Sequence, residues 1–381
     1  MSTNEQERPG FLVLELDGDG AHPAAWRAAR HAPRELLTGA RIRSTVLAAE
    51  SAGFHGATFA DGSLAQGETD VGGRLDAIQR AAFAGPLTRS IVLVPEVDTV
   101  YTEPFHVATQ LASLDYVAGG RAGWLVAAAN SESAGAAVGR ETVHGTALAL
   151  EAEASVEVSR RLWDSWEDDA VIRDVETGQY LDADKLHYAD FETGPDFPGA
   201  GYTVKGPAII PRPLQGQLPV VAPASLFGEH LYDAGALAGI DAVLVTAPTA
   251  QALAASVANF RHRLGTTVAI IAELDVVVDA RGQSAEERVA YLDAHTSWLS
   301  PRARYTGGAD GLVELLTEVL AVADGVRLHP AVLDVELDEL SRLVLPALRR
   351  RGALAPQTPD ATFRDLLGLA RPANRFELAG N

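Results

Sequence analysis

Cysteine is absent from this chain of 381 residues, and methionine occurs once. Without a thiol there is no disulfide framework, no thiolate metal site and no cysteine nucleophile. Positive charge is scarce as well: 31 Lys and Arg stand against 51 Asp and Glu, a net charge of −20. Such a surface repels phosphate backbones and argues against nucleic acid as a main partner, although a helix N-terminus or a hydroxyl can still hold one phosphate. No apolar run reaches the roughly 18 residues that cross a bilayer, and the first nine residues lack the apolar core of a secretion signal. The expectation is a cytoplasmic protein with no membrane partner. Several motifs are missing too. There is no GxGxxG after a strand, no GxxxxGKS/T, no HExxH and no GxSxG. Asp168-Asp169 has no histidine cluster at metal-ligand spacing, so no metal is expected.

What the chain does contain is alternation. Hydrophobic residues make up 47% and charged residues 22%, a globular composition long enough for one large α/β domain. Short apolar runs read as eight strands: Phe11–Leu16, Gly56–Ala60, Ser90–Val97, Ala122–Ala129, Leu218–Ala222, Ala242–Thr246, Thr267–Val278 and Gly325–His329. Helical patterns fall between them at Arg41–Ala52, Glu103–Val117, Ala147–Trp166, Ser225–Leu237, Ala250–Leu264, Ala285–Leu299 and Gly311–Ala323, with a last helix at Leu337–Arg350. Eight strands separated by helices point to an α/β fold, a (β/α)8 TIM barrel; a doubly wound sheet predicts the same alternation. Residues 168–216, rich in Gly and Pro, are too long for a plain loop and read as an ordered insertion after the fourth helix, with strand-like alternation at Tyr202–Pro207. The tail, residues 353–381, carries a short helical piece at Phe363–Leu369 and is expected to pack on the barrel or on a neighbour. The whole of 1–381 thus reads as a single barrel domain.

In such a barrel the site lies at the C-terminal ends of the strands. Those ends carry Asp17, Asp19, Asp61, Asp98, Thr99, Asn130, Ser225, Thr246 and His329, a polar set with almost no cation, which favours a neutral, apolar substrate over a polyanionic one. Asp61 reads as an acceptor for a ring N–H or hydroxyl, or as a turn residue before Gly62. Ser225 reads as a phosphate receptor at a helix start, or as an ordinary cap. His22 reads as a proton donor or carboxylate ligand, or as a loop histidine. Tyr101 is the best functional candidate of the Tyr101, Glu103, His106 group, whose other reading is structural. Trp163 and Trp166 have a packing spacing, and Arg349–Arg351 suit a helix C-terminus.

At this point a family resemblance enters. Ala21–Arg27 (AHPAAWR), Phe59–Gly62 (FADG), Tyr101–His106 (YTEPFH), Leu111–Asp115 (LASLD), Gly119–Trp124 (GGRAGW), Leu162–Ala170 (LWDSWEDDA), Val204–Pro207 (VKGP), Ala323–Gly325 (ADG), Leu345–Gly352 (LPALRRRG) and Phe363–Gly368 (FRDLLG) resemble the nitrilotriacetate monooxygenase branch of the bacterial-luciferase-like flavin monooxygenases. The resemblance spans nearly the whole chain. It implies a (β/α)8 barrel that takes reduced FMN from a separate flavin reductase and uses it with O2 to oxidise a small-molecule substrate, assembled as a homodimer or homotetramer. By matching position, Asp61, Thr99 and Ser225 would contact the cofactor and His22 would act in catalysis; His144 would contact the cofactor after a small shift, and Tyr101 is the further catalytic candidate. The chain departs from the family pattern at Leu125, at Ala127, Ala128 and Ala129, and at Gly145 and Ala149, where the family places polar residues against the flavin; His144 stands one place from the usual histidine. At roughly 1 kcal/mol for each missing hydrogen bond, three or four such changes weaken binding by roughly 10² to 10³. Two alternatives follow: a flavin-binding-impaired paralogue that serves as a partner subunit or binding protein, and a deazaflavin-dependent oxidoreductase that transfers hydride.

Overall fold

The structure, a computed structural model, describes residues 9–61, 73–195, 197, 201–228 and 239–379. Eight parallel strands close into a barrel: β1 Phe11–Glu15, β2 Gly56–Phe59, β3 Val92–Asp98, β4 Trp124–Ala127, β5 Val220–Pro223, β6 Ala242–Val245, β7 Ala269–Val278 and β8 Gly325–Pro330. Each pairs with the next in sequence, and Phe11 opposite Gly325 closes the ring between β1 and β8. All eight coincide with the apolar runs expected from sequence. A doubly wound sheet would have left two open edges, so the closure decides for the (β/α)8 barrel.

The helices between the strands are α1 Gly39–Ala52, α2 Ala77–Ala84, α3 Pro104–Val117, α4 Glu132–Val138, α5 Thr146–Asp164, α6 Ala224–Phe227, α7 Ala250–Leu264, α8 Ala285–Asp293 and α9 Ala309–Leu320. Their starts are chemically marked. Thr38, Ser131 and Thr249 cap α1, α4 and α7 through their hydroxyls, and Ser284 with Glu287 forms a capping box on α8. Glu103, expected in the first turn of α3, is its cap: its two carboxylate oxygens accept from the N–H groups of Phe105 and His106 at 3.2 and 2.9 Å.

Four elements differ from expectation. A ninth strand, Ala303–Gly307, lies outside the barrel and pairs with the upper half of β7, opposite Leu274 to Val278. β7 is ten residues long, so its lower half serves β6 and its upper half this extra strand. Helices α2 and α4 were not expected at all. The helix expected over Ser225–Leu237 is described only as the four residues of α6; residues 229–238 lie outside the described residues.

Inside the barrel, side chains stack in layers contributed by alternate strands. Val13, Val94, Val221 and Ile271 form an apolar layer together with Leu125 and Leu244. Beneath it the tail inserts Phe363, 1% exposed, from the helix Phe363–Leu367. Gly123 permits this, because a Cβ there would sit 2.5 Å from the Phe363 ring. The tail therefore packs on the barrel and seals its N-terminal end. It also clasps the insertion, which holds a hairpin of Val171–Asp174 with Gln179–Leu181 and a pairing of Phe191–Glu192 with Thr203–Val204. Buried Arg212 bonds Asp164 Oδ1 at 2.9 Å and reaches Asp168, to which Arg371 of the tail also binds at 2.6 and 2.7 Å. Trp163 and Trp166 are buried as packing residues, their indole N–H groups donated to the carbonyls of Ala108 and Ala208.

Candidate active site

Above the apolar layer the barrel interior changes character. A strand alternates faces with period two, so the inward positions after Val13, Val94 and Ile271 are Glu15, Glu96 and Glu273, and after those Asp17, Asp98 and Asp275. Three alternate strands thus carry Glu-x-Asp on the inner face, at or just past the ends of β1 and β3 and midway along β7. Arg327 of β8 occupies the middle. Its Nε donates to Thr58 Oγ1 at 3.0 Å, its Nη1 to Glu273 Oε1 at 3.0 Å and its Nη2 to Glu15. Thr58 and Thr246 hydroxyls donate to Glu15 and Glu273 at 2.8 and 2.7 Å, and His329 Nε2 lies 3.0 Å from Glu273.

The ionisation states follow from these contacts. Burial pushes the carboxyls of Glu15 and Glu273 up. For Glu15 the charge of Arg327 with the Thr58 and Arg327 hydrogen bonds outweighs that push, and for Glu273 the His329 hydrogen bond and the Arg327 charge do so, holding both groups below the usual range. Burial and the same guanidinium push His329 down, favouring neutral imidazole. Glu96 has no hydrogen bond to any described residue. Its burial, opposed by Arg327 but reinforced by the charges of Glu15 and Asp17, pushes its carboxyl up to about 7. The interior therefore holds one carboxyl poised to gain or lose a proton near neutrality.

The β3 and β4 ends are tied together. Asp98 accepts from the Tyr101 N–H at 2.8 Å and from the Ala129 N–H at 2.7 Å, and the Thr99 hydroxyl donates to the Ala127 carbonyl at 2.8 Å. This fixes one wall of a cleft of about 710 Å³ between the loop after β3, the segment joining α4 to α5, and the insertion. Three of the residues picked out from sequence converge on it: Thr99, Tyr101 and His144. The Tyr101 hydroxyl lies 3.2 Å from both the Glu141 carbonyl and the Val143 N–H. Arg140, whose guanidinium lies over the Tyr101 ring and pairs with Glu151 at 2.6 Å, was not anticipated; only the folding of residues 139–145 against the β3 loop brings it there. Phe197 and Tyr202, edge to face with centroids 5.5 Å apart, form the opposite wall.

The other three residues lie elsewhere. Asp61 is exposed and lines a smaller cavity of about 360 Å³ beside Asp98 and His106, which shares Thr102 and Glu103 with the cleft. Burial and the charge of Asp76 push its carboxyl up. His22 is 2% exposed, accepts from the Ala24 N–H at Nδ1 (3.0 Å) and faces Asp293 Oδ1 with Nε2 at 3.3 Å. Burial pushes its imidazole down, so it holds its proton on Nε2 as a neutral ring. Ser225, in α6, is exposed and lines none of these cavities. At the positions of departure, Leu125 packs in the apolar layer, Ala149 is buried on α5, and Gly145 precedes α5 with φ of 60° and open space where a Cβ would stand. Among the described residues no group of three or more His, Asp or Glu could hold a metal ion, and no helix is long and apolar enough to cross a membrane.

Fold and site together define a closed α/β barrel with clefts at the carboxyl ends of its strands, the architecture of a barrel enzyme. Residues 21–345 match the family model described as luciferase-like monooxygenase, and the chain belongs to that family. It is 26% identical over 444 aligned residues to N-acetyl-S-(2-succino)cysteine monooxygenase of Bacillus subtilis (strain 168), covering 96% of this chain and 98% of the relative. It is 26% identical over 458 residues to nitrilotriacetate monooxygenase component A of Aminobacter aminovorans, covering 98% and 99%. A solved long-chain alkane monooxygenase shares the fold with a TM-score of 0.80 at 18% identity, covering 95% of each chain.

Members of this family use flavin, so the cleft must be tested against it. FMN joins a dianionic phosphate to a hydroxylated chain and an aromatic ring system. The 710 Å³ cleft offers a guanidinium (Arg140), an exposed imidazole (His144), the hydroxyls of Thr99, Tyr101 and Thr142, and an aromatic wall. Its volume lies in the usual range for small-molecule sites, roughly 300–1,000 Å³. The donor set fits.

Proposed function

We propose that this chain is a two-component monooxygenase that takes reduced FMN from a separate reductase and oxidises a small organic substrate with O2, as a cytoplasmic homodimer or homotetramer. The observation that carries the reading is the convergence of Thr99, Tyr101 and His144 with Arg140 on one cleft of suitable size. Reduced FMN, when bound, supplies the electrons that activate O2. Everything else falls to the chain. Arg140 and His144 neutralise the phosphate, taking the place of the polar side chains that the family pattern has where this chain has Ala128, Ala129 and Gly145. The Thr99 and Tyr101 hydroxyls orient the hydroxylated chain, Asp61 accepts a hydrogen bond at the far edge of the site, and Phe197 with Tyr202 excludes water from one face. Ser225, in α6 just beyond β5, lies outside the cleft lining and is assigned to the phosphate by its place in the family pattern alone. His22 keeps a proton on Nε2 at the β1 loop, and Glu96 keeps one on its carboxyl deeper in the barrel.

Titration of the purified chain into FMN, read by quenching of flavin fluorescence, tests this directly. Saturable binding is expected, weakened at least tenfold in Arg140→Ala. Ser225→Ala should weaken it about tenfold or less, one hydrogen bond of roughly 1 kcal/mol. No saturable binding of FMN, reduced FMN or a deazaflavin at high micromolar concentration would overturn the reading in favour of a partner subunit. Selective binding of the deazaflavin would favour hydride transfer instead.

A further inference from the structure

The strand ends alone present few cations, but the helices bring arginines back to the mouth. Between the loop after β1 and helices α1 and α2 lies a second cavity, of about 310 Å³, separate from the proposed flavin cleft. Part of its lining is apolar: Trp26, Leu36, Ile42, Phe59, Leu75 and Leu333. The rest is charged. Arg80 of α2 is 6% exposed; its Nη1 meets Asp17 Oδ1 at 3.0 Å and its Nη2 the Ala60 carbonyl, while its Nε has no acceptor among the described residues. Arg41 of α1 pairs through Nη1 with Asp334 Oδ1 at 2.6 Å, and its Nε and Nη2 likewise have no acceptor. Asp17 pairs with Arg74 at 2.8 Å as well as with Arg80 at 3.0 Å. Asp19, the other acid of the lining, is held by His31 at 2.8 Å. Burial and the charge of Glu15 push the Asp17 carboxyl up, which weakens it as a counter-ion.

Charged donors without acceptors are the costliest hydrogen bonds to leave unmade. The geometry points to an anionic ligand: we infer that this cavity is a subsite for the carboxylate of a small amphipathic acid, its oxygens facing Arg41 and Arg80 and its carbon skeleton lying against Trp26 and Phe59. The substrate class of the proposed monooxygenase would then be a small carboxylic acid with an apolar body. The assignment of this ligand as substrate rests on the monooxygenase reading; the binding itself does not.

Calorimetric titration of the full chain with hexanoate, 1-hexanol and hexylamine at low salt tests the inference, with and without FMN. Hexanoate is expected to bind saturably and at least tenfold more tightly than either of the others. Arg41→Gln is expected to abolish that preference while leaving the affinity for FMN unchanged, since Arg41 does not line the 710 Å³ cleft. Should Arg41→Gln fail to fold, Arg41→Lys, which keeps the charge opposite Asp334 but loses the fixed fork of donors, is expected to lose at least fivefold for hexanoate. Equal binding of hexanoate and hexanol, a preference for hexylamine, or an unchanged preference in the Arg41 variants would overturn the inference. FMN quenching on the same samples separates the two readings: hexanoate binding without FMN binding overturns the cofactor assignment alone, and the reverse overturns this one alone.

Discussion

Glu96 differs from its neighbours in one respect: Glu15 and Glu273 both accept hydrogen bonds from Arg327, and Glu96 feels only its charge. The consequence is a stability that depends on pH. Its carboxyl titrates at about 7 in the folded chain against an ordinary 4.5, so between those values the folded state binds a proton that the unfolded state has released. Stability from this group is fully present below pH 4.5 and is lost as pH rises toward 7. Glu15 and Glu273, depressed instead, contribute in the opposite sense, losing stability only as pH falls below the ordinary range. Glu96→Gln removes the first dependence alone. Urea unfolding at about pH 5 and about pH 7.5 should show the variant gaining on the parent by about 2–3 kcal/mol at the higher pH. Parallel stabilities at the two pH values would mean that Glu96 is ionised throughout. This residue was legible in the sequence, although it was not among the candidates. Glu15-x-Asp17, Glu96-x-Asp98 and Glu273-x-Asp275 recur on three strands, and period two puts both acids of each on the inner face. Arg140, Arg41 and Arg80 were not legible in that way, because each comes from a helix or connecting segment whose approach to the mouth is a tertiary event.

At the scale of elements, short β-rich apolar runs identified every barrel strand, since strands covered on both faces must be apolar along most of their length. The same logic missed Ala303–Gly307, whose Arg304, Tyr305 and Thr306 are only half-buried because the strand lies outside the ring. It also missed α2, where the sequence before Ala77 offers no apolar period to mark a start. Ser225 reads from sequence as a phosphate contact or an ordinary cap; it lies in the four-residue α6 and is exposed, and the Ser225→Ala titration decides between the two readings. The tail helix makes the firmest test of an element. Phe363 fills the N-terminal end of the barrel under Val13, Val94 and Leu125. Phe363→Ala should cost about 3–5 kcal/mol in chemical denaturation, the usual penalty for emptying a buried aromatic site. Its affinity for FMN should stay within a factor of two, because the plug and the mouth are at opposite ends of the strands. A large loss of flavin affinity at unchanged stability would show that the tail shapes the mouth.

For the molecule as a whole, charge is distributed by burial rather than evenly. The net charge of −20 is spread over the chain, while Arg80, Arg121, Arg212, Arg288, Arg327 and Arg364 are buried. A dianionic ligand therefore meets two opposing fields. Far from the protein it is repelled by the total charge; inside the cleft, on the proposed reading, it is attracted by Arg140 and His144. Salt separates the two, because the Debye length falls from about 30 Å at about 10 mM to about 8 Å at about 150 mM. Screening acts fully on the distant acids and only weakly on charges within a few ångströms of the phosphate. The association rate of FMN should therefore rise a few-fold, roughly two- to tenfold, over that range of sodium chloride, with a dissociation rate that changes little. Stopped-flow quenching reads both constants. A basic site on a basic protein behaves the opposite way, its association slowing with salt, and such a fall here would mean that the local cations, not the whole chain, set the field that an approaching phosphate meets.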